Sequence, residues 1–272
     1  MSEWTLHQNP KLRRVRGPVV VCVMDGVGHG RRDESDAVWL ARTPTLDWLA
    51  EHTPTRELVA HGKAVGMPSD EDMGNSEVGH NAIGAGRIFD QGAKLVAHAI
   101  ADGSIFEGKQ AGTWQAMTEH VRQRQSTFHF MGLLSNGNVH SHIDHLFALL
   151  RRCDHEGIQR VRIHCLLDGR DVGETTALDY VDALEALLET ISARTDRDYR
   201  IASGGGRMTT TMDRYDADWS VVERGWRAHI RGEGRGFASC REAISTFRAE
   251  SPGIGDQMLP EFVIVAEDAA PI

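Results

Sequence analysis

The chain has 272 residues, 40% of them hydrophobic and 25% charged, with a formal net charge of −9 at pH 7. That length supports one large or two medium domains with sizeable cores. The acidic balance argues against nucleic acid as a partner, and no apolar run reaches membrane-spanning length, so no membrane role is expected. Local arginines can still serve an anionic small molecule. Cys22, Cys153, Cys165 and Cys240 are scattered without a C-x-x-C pair. Cys22 and Cys165 lie in apolar, strand-like runs, so buried free thiols in a reducing, cytoplasmic setting are expected. The first ten residues carry no apolar signal core.

Residues 1–16 are polar and end basic. Pro18 to Met24 is a continuous apolar run closed by Asp25-Gly26-Val27-Gly28, the pattern of a buried parallel strand. Ligands gather at the carboxyl ends of such strands, so Asp25 is either a metal ligand or a turn residue. Thr43 and Pro44 open a helix whose Leu46, Leu49 and Ala50 are spaced to face a core. Glu57 to Val65 reads as a short strand. Met67 to His80, M-P-S-D-E-D-M-G-N-S-E-V-G-H, then puts Ser76 at a loop-to-helix junction, where free N–H groups favour an anion. Its hydroxyl is either an N-cap or a nucleophile, and no G-x-S-x-G elbow supports a hydrolase triad.

Strand and helix then alternate. Helices are expected at Lys94–Ile100 and Thr113–Arg124, a strand at Thr127–Leu134, and a helical stripe at Ile143, Leu146, Phe147 and Leu150. A strand at Val161–Leu167 follows, then a helix through Leu178, Val181, Leu184, Leu188 and Ile191. The series closes with a strand at Tyr199–Ala202, a helix at Trp219–Ile230 and a strand at Phe262–Val265. This alternation predicts a mostly parallel sheet covered on both faces.

Three strand ends carry polar clusters: Ser135 to His142, Asp168-Gly169-Arg170-Asp171, and Gly204-Gly205-Gly206-Arg207 followed by Asp213-Arg214-Tyr215. Parallel topology brings them to one rim with Arg170, Arg207, Arg214, His140 and Asp171. Arginine forks match phosphate and carboxylate oxygens. Simpler readings stay open: His140 and His142 as a metal pair or loop histidines, Arg207 as a surface residue, Arg170 as the partner of its flanking aspartates.

D-G-V-G after the first strand, M-G-N-S-E-V-G-H, L-S-x-G-x-V-H-S-H, D-G-R-D and G-R…M-D-R together resemble the cofactor-independent phosphoglycerate mutases of the alkaline-phosphatase superfamily. The G-G-G-R-M…T-M-D-R-Y spacing, one residue longer than in short bacterial forms, is similar to the plant and kinetoplastid branch. The resemblance implies an α/β fold: a partial alkaline-phosphatase-like domain over residues 1–90, then an α/β transferase domain with a mostly parallel sheet over 91–272, hinged near Ile88 to Gln91. It implies an isomerase interconverting 3-phosphoglycerate and 2-phosphoglycerate through a phosphoserine in glycolysis and gluconeogenesis. Ser76 would be the nucleophile and, with Asp25, a metal ligand. His140, Arg170, Asp171, Arg207 and Arg214 would contact substrate. Two divalent ions, usually manganese with magnesium or cobalt as alternatives, and a monomeric full-length enzyme are also implied. Members of the family are about twice this length, with the remaining metal ligands expected after Ile272. The chain is therefore expected to be an N-terminal half, inactive alone. A related phosphomutase or phosphatase, or a non-catalytic phosphoglycerate-binding fragment, are the rival readings.

Overall fold

The structure, a computed structural model, describes residues 10–11, 16–24, 26–109, 111–194, 196–211, 218–266 and 270–271. Asp25 and Arg214 lie outside the described residues. The chain divides into two units, Met1–Leu58 and Val59–Ile272.

In the first unit, α1 spans Ala37–Leu40 and α2 spans Pro44–His52. Thr43 holds the N-cap position of α2, with Pro44 entering the first turn, but the threonine hydroxyl donates to Asp47 Oδ1 rather than accepting a backbone N–H. Leu49 is 40% exposed, so the expected core face of α2 is not packed. The apolar run Pro18 to Met24 corrects the sequence reading more sharply. It forms no ladder, Val20 is 84% exposed, and Cys22 is exposed rather than buried. Apolar β-branched residues supply strand propensity, but only a neighbouring strand can satisfy their backbone groups.

Glu57 to Val65, which crosses from the first unit into the second, is no strand either. It ends in a 3-10 turn, Gly62–Val65. Then come α3 (Ser76–Ala85), α4 (Gly92–Ala101), α5 (Gly112–Arg124), β1 (Phe128–Leu133), α6 (Ile143–His155), β2 (Arg160–Leu167), α7 (Ala177–Ser192) and β3 (Asp198–Gly206). The chain continues through α8 (Arg207–Thr210), α9 (Trp219–Arg231), β4 (Arg235–Phe237), α10 (Cys240–Glu250) and β5 (Phe262–Ile264). The sheet order is β1-β2-β3-β5-β4. The β1–β2, β2–β3 and β4–β5 pairs are parallel, and β3–β5 is antiparallel. Residues Val161, Ile163, Cys165 and Leu167 of β2 alternate onto one face, against Leu150 of α6, Leu184 and Leu188 of α7, and Ile244 and Phe247 of α10. This layer is the core. The opposite face carries α8 and α9 over β3, while Met131 on β1 is 50% exposed.

Candidate functional site

The strand order puts the carboxyl ends of β1, β2 and β3 side by side, which brings residues far apart in sequence into one cluster. Asp168, 2% exposed, is its hub. Ser135 donates its hydroxyl to Asp168 Oδ2 at 2.6 Å. The backbone N–H groups of Arg170 and Asp171 donate to Oδ1. Arg207, 1% exposed, reaches the same Oδ1 from β3's end at 2.9 Å and Asp171 Oδ2 at 2.7 Å with one nitrogen, Nη1. Burial works to raise the Asp168 pKa. Donors from Ser135, the Asp171 N–H, Arg207 and the Arg170 N–H outweigh it and hold the carboxyl below its ordinary value.

His140 lies 3.8 Å from Asp171 Oδ2 and is half-exposed. Arg170 is exposed and makes no ion pair with its flanking aspartates. The arginine that neutralises this pair is Arg207, and Arg170 is left with its guanidinium toward solvent. Two aspartates against one buried arginine leave the cluster with a formal charge of −1, and Arg207 Nε has no partner among the described residues.

The serine segment is anchored to the same rim. Asn75 is the N-cap of α3, accepting from the Val78 N–H at 3.0 Å, so Ser76 occupies the first helical position and its hydroxyl is free of capping. Asp72 accepts from Asn138 Nδ2 at 2.7 Å and from the Ser69 N–H at 2.7 Å. Burial would raise the Asp72 pKa, but the Asn138 amide, Ser69 and the His142 charge keep it lowered. Gln91 closes the other side, donating its backbone N–H to Gly66 O and its amide to Val65 O. Gly66 has φ +87°, and a Cβ there would lie 1.8 Å from Phe89 O. Between this segment and the rim runs a groove of about 460 Å³ lined by Met67, Asn75, Val78, Asn138, His140 and His145. Asp168, Ser135, Asp72 and Asn138 are the members of this arrangement that the sequence reading did not select. Their signal was adjacency to the motifs, and their partners are 33 and 66 residues away.

Ser76 Oγ lies 3.2 Å from His80 Nδ1, but the same nitrogen is 2.7 Å from Ser76 O. A carbonyl only accepts, so Nδ1 carries its proton toward that oxygen and is not available to deprotonate the hydroxyl. Among the described residues no group of three histidine, cysteine, aspartate or glutamate side chains is arranged to hold a metal ion. Ser76 alone does not fit the ion that the resemblance implies.

Residues 96–272 match the family model described as the BPG-independent PGAM N-terminus. The chain is 54% identical over 248 residues to a probable 2,3-bisphosphoglycerate-independent phosphoglycerate mutase of Leptospira interrogans, covering 90% of this chain and 44% of that protein. It is 49% identical over 258 residues to the enzyme so named from Trypanosoma brucei brucei, covering 94% and 46%. Among solved structures, Leishmania mexicana phosphoglycerate mutase, determined at low cobalt concentration, superposes with a TM-score of 0.84 at 47% identity, over 92% of this chain and 45% of that one. The chain thus spans about half the length of the curated relatives it matches. On the serine motif, the rim and these likenesses together, the chain belongs to the 2,3-bisphosphoglycerate-independent phosphoglycerate mutase family.

Proposed function

We propose that this chain supplies the phosphoserine segment and the glycerate-handling rim for interconversion of 3-phosphoglycerate and 2-phosphoglycerate. The observation that carries the reading is the rim itself: Arg207 fixes Asp168 and Asp171 in the same unit as Ser76, while Arg170 stays unspent and exposed. Arg170 grips a phosphate or carboxylate of the substrate through its fork. Asp171, oriented by Arg207, accepts from a glycerate hydroxyl, and His140 contacts the phosphate. Arg207 contributes its remaining edge, and Arg214 is assigned to the same pocket by its motif. Ser76 Oγ takes the phosphoryl group from one glycerate oxygen and returns it to the other, a reaction that rests mainly on positioning and charge neutralisation.

Residues 1–90 then belong with a phosphatase-like domain and 91–272 with a transferase domain, in a cytoplasmic enzyme that is monomeric at full length. Manganese is the proposed ion, with Asp25 and Ser76 among its ligands. Among the described residues no group of three histidine, cysteine, aspartate or glutamate side chains is arranged to hold it, so no step is assigned to it. For the same reason, and because His80 is not a base for Ser76, the chain alone binds substrate without turning it over.

The test is formation of 2-phosphoglycerate from 3-phosphoglycerate with manganese and without bisphosphoglycerate, on this chain and on a full-length relative. The reading expects turnover by the relative and silence from the chain. Turnover by the chain, abolished in Ser76→Ala, would overturn the claim that Ser76 lacks activation here. Phosphatase activity without isomerisation in the relative would overturn the mutase assignment.

A further inference from the structure

A second polar system lies on the opposite face of the sheet, away from the core layer. It runs through four neighbouring elements: His129 of β1, His164 of β2, Ser203 of β3 and His229 of α9. His129 Nδ1 and His164 Nε2 are 3.0 Å apart, His164 Nδ1 and Ser203 Oγ 2.6 Å, and Ser203 Oγ and His229 Nδ1 2.7 Å. His129 is exposed, while His164, Ser203 and His229 are buried, and His229 Nε2 has no partner among the described residues.

A neutral imidazole has one N–H, His164 uses both nitrogens, and a hydroxyl can accept twice. Were Ser203 to accept from both His164 and His229, its own buried O–H would meet no acceptor among the described residues, so two arrangements keep the hydroxyl satisfied. In one, each group donates inward and His229 is left with a buried N–H that meets no acceptor. In the other, His229 donates to Ser203, Ser203 to His164 and His164 to His129, leaving only a bare lone pair at His229 Nε2. A buried orphan donor is the rarer and costlier defect, so the second arrangement is assigned.

This chain matters because it adds a buried polar tie to the packing of α9 on α8 and β3. The buried residues of α9 are Val221, Gly225, Ala228 and His229. Its large apolar side chains, Trp219, Val222, Trp226 and Ile230, are at least 45% exposed. Helix α9 in turn braces α8, the turn that begins at Arg207: a Cβ on Gly225 would lie 1.8 Å from Thr210 O, and Arg224 Nε donates to Thr209 O. An extra proton on His164 enters at Nδ1 and meets the Ser203 O–H, while one on His229 enters at Nε2 and adds a buried N–H with no acceptor among the described residues; either leaves a buried cation. The charged or titratable groups facing the chain are Arg162 on β2, itself paired with Asp198, and the three imidazoles themselves. Among the described residues no carboxylate acts on His129, His164 or His229.

We propose that this His–His–Ser–His chain is an acid-released strap: neutral, it ties α9 to the sheet and braces the Arg207 turn, and protonation detaches α9. Burial, and for His164 also its neighbouring imidazoles, pushes His164 and His229 down to about 4. Opening α9 returns an imidazole to its ordinary 6.5, which favours opening by roughly 30-fold at pH 5 relative to pH 7.5 for each histidine released.

Hydrogen exchange of the 272-residue chain, corrected for intrinsic rates, tests this at pH 7.5 and pH 5. The strap requires residues 219–231 to lose about 30-fold or more in protection relative to 160–167. In His229→Asn, whose amide replaces the Nδ1 donor but does not titrate, that loss should be smaller than in the wild type by the His229 share of about 30-fold. Ser203→Ala should expose 219–231 already at pH 7.5. Equal protection at both pH values in the wild type overturns the proposal, as does a full acid response in His229→Asn. If the variants do not fold, nitrogen-15 imidazole spectra of the wild type decide. A protonated Nδ1 on neutral His229 is required, and a protonated Nε2 refutes the assignment.

Discussion

Asp168 offers the sharpest perturbation of the rim, since its carboxylate organises a serine, two backbone N–H groups and a buried guanidinium at once. Asp168→Ala removes all four contacts. Breaking a buried ion pair from one side costs about 3–5 kcal/mol, because the partner charge is left in place. Here Asp171 still reaches Arg207 Nη1 at 2.7 Å, which favours the lower end for the ion pair. The orphaned Ser135 hydroxyl and N–H groups bring the total back to about 4 kcal/mol. Asp168→Asn keeps the shape and an acceptor for the three N–H donors, and loses only charge and the Ser135 geometry, so about 1–2 kcal/mol is expected. Urea denaturation followed by circular dichroism measures both, and the alanine variant should also melt on the order of 10 °C lower. Because the folded carboxyl titrates below its ordinary value, its contribution is whole above the usual aspartate range and is lost as pH falls through the lowered folded value. The gap between wild type and Asp168→Asn should therefore narrow only below about pH 4. An alanine variant within about 1 kcal/mol of wild type at pH 7 would refute the hub.

Gly225→Ala should cost about 3 kcal/mol or more, because its methyl group meets the Thr210 carbonyl and must part α9 from α8; thermal melting reads it. Gly66→Ala combines a left-handed backbone with a clash against Phe89 O, and should raise proteolysis within 60–91 while leaving the sheet intact. Asp72→Ala removes the tie to Asn138 and should speed amide exchange in the serine segment several-fold, with little change in global stability. Leu184→Ala, at a fully buried position of α7, should cost about 2–5 kcal/mol in urea titrations.

The parts of this molecule that depend on local pattern were legible in its sequence. The stripe Val181, Leu184, Leu188 and Ile191 declares α7, and all four are buried. The apolar run Val161 to Leu167 declares β2, which needs no information beyond its neighbours being strands too. The same reasoning failed at Val19 to Val23, where the residues are right for a strand but no ladder forms beside them. Ser76 and Asn75 are both good capping residues, and only the backbone chooses Asn75. Arg170 sits between two aspartates in sequence, yet the residue that pairs with them comes from the end of another strand. Such choices depend on register and turn direction, which local spacing does not encode. The strap needs still more: His164 meets Ser203 only because a register shift follows Ile163.

The most direct test of the central claim is calorimetric titration of 3-phosphoglycerate into this chain and into Arg170→Ala. Arg170 is exposed and, among the described residues, bonded through its backbone alone, so its removal should leave the melting temperature unchanged. A lost charge-assisted contact of about 1.5–3 kcal/mol predicts affinity at least about tenfold weaker in the variant. Saturable binding by the wild type, weakened in this way, is the predicted result. No saturable binding by the wild type, or equal affinity in the two proteins, would contradict the assignment of this rim as a phosphoglycerate site.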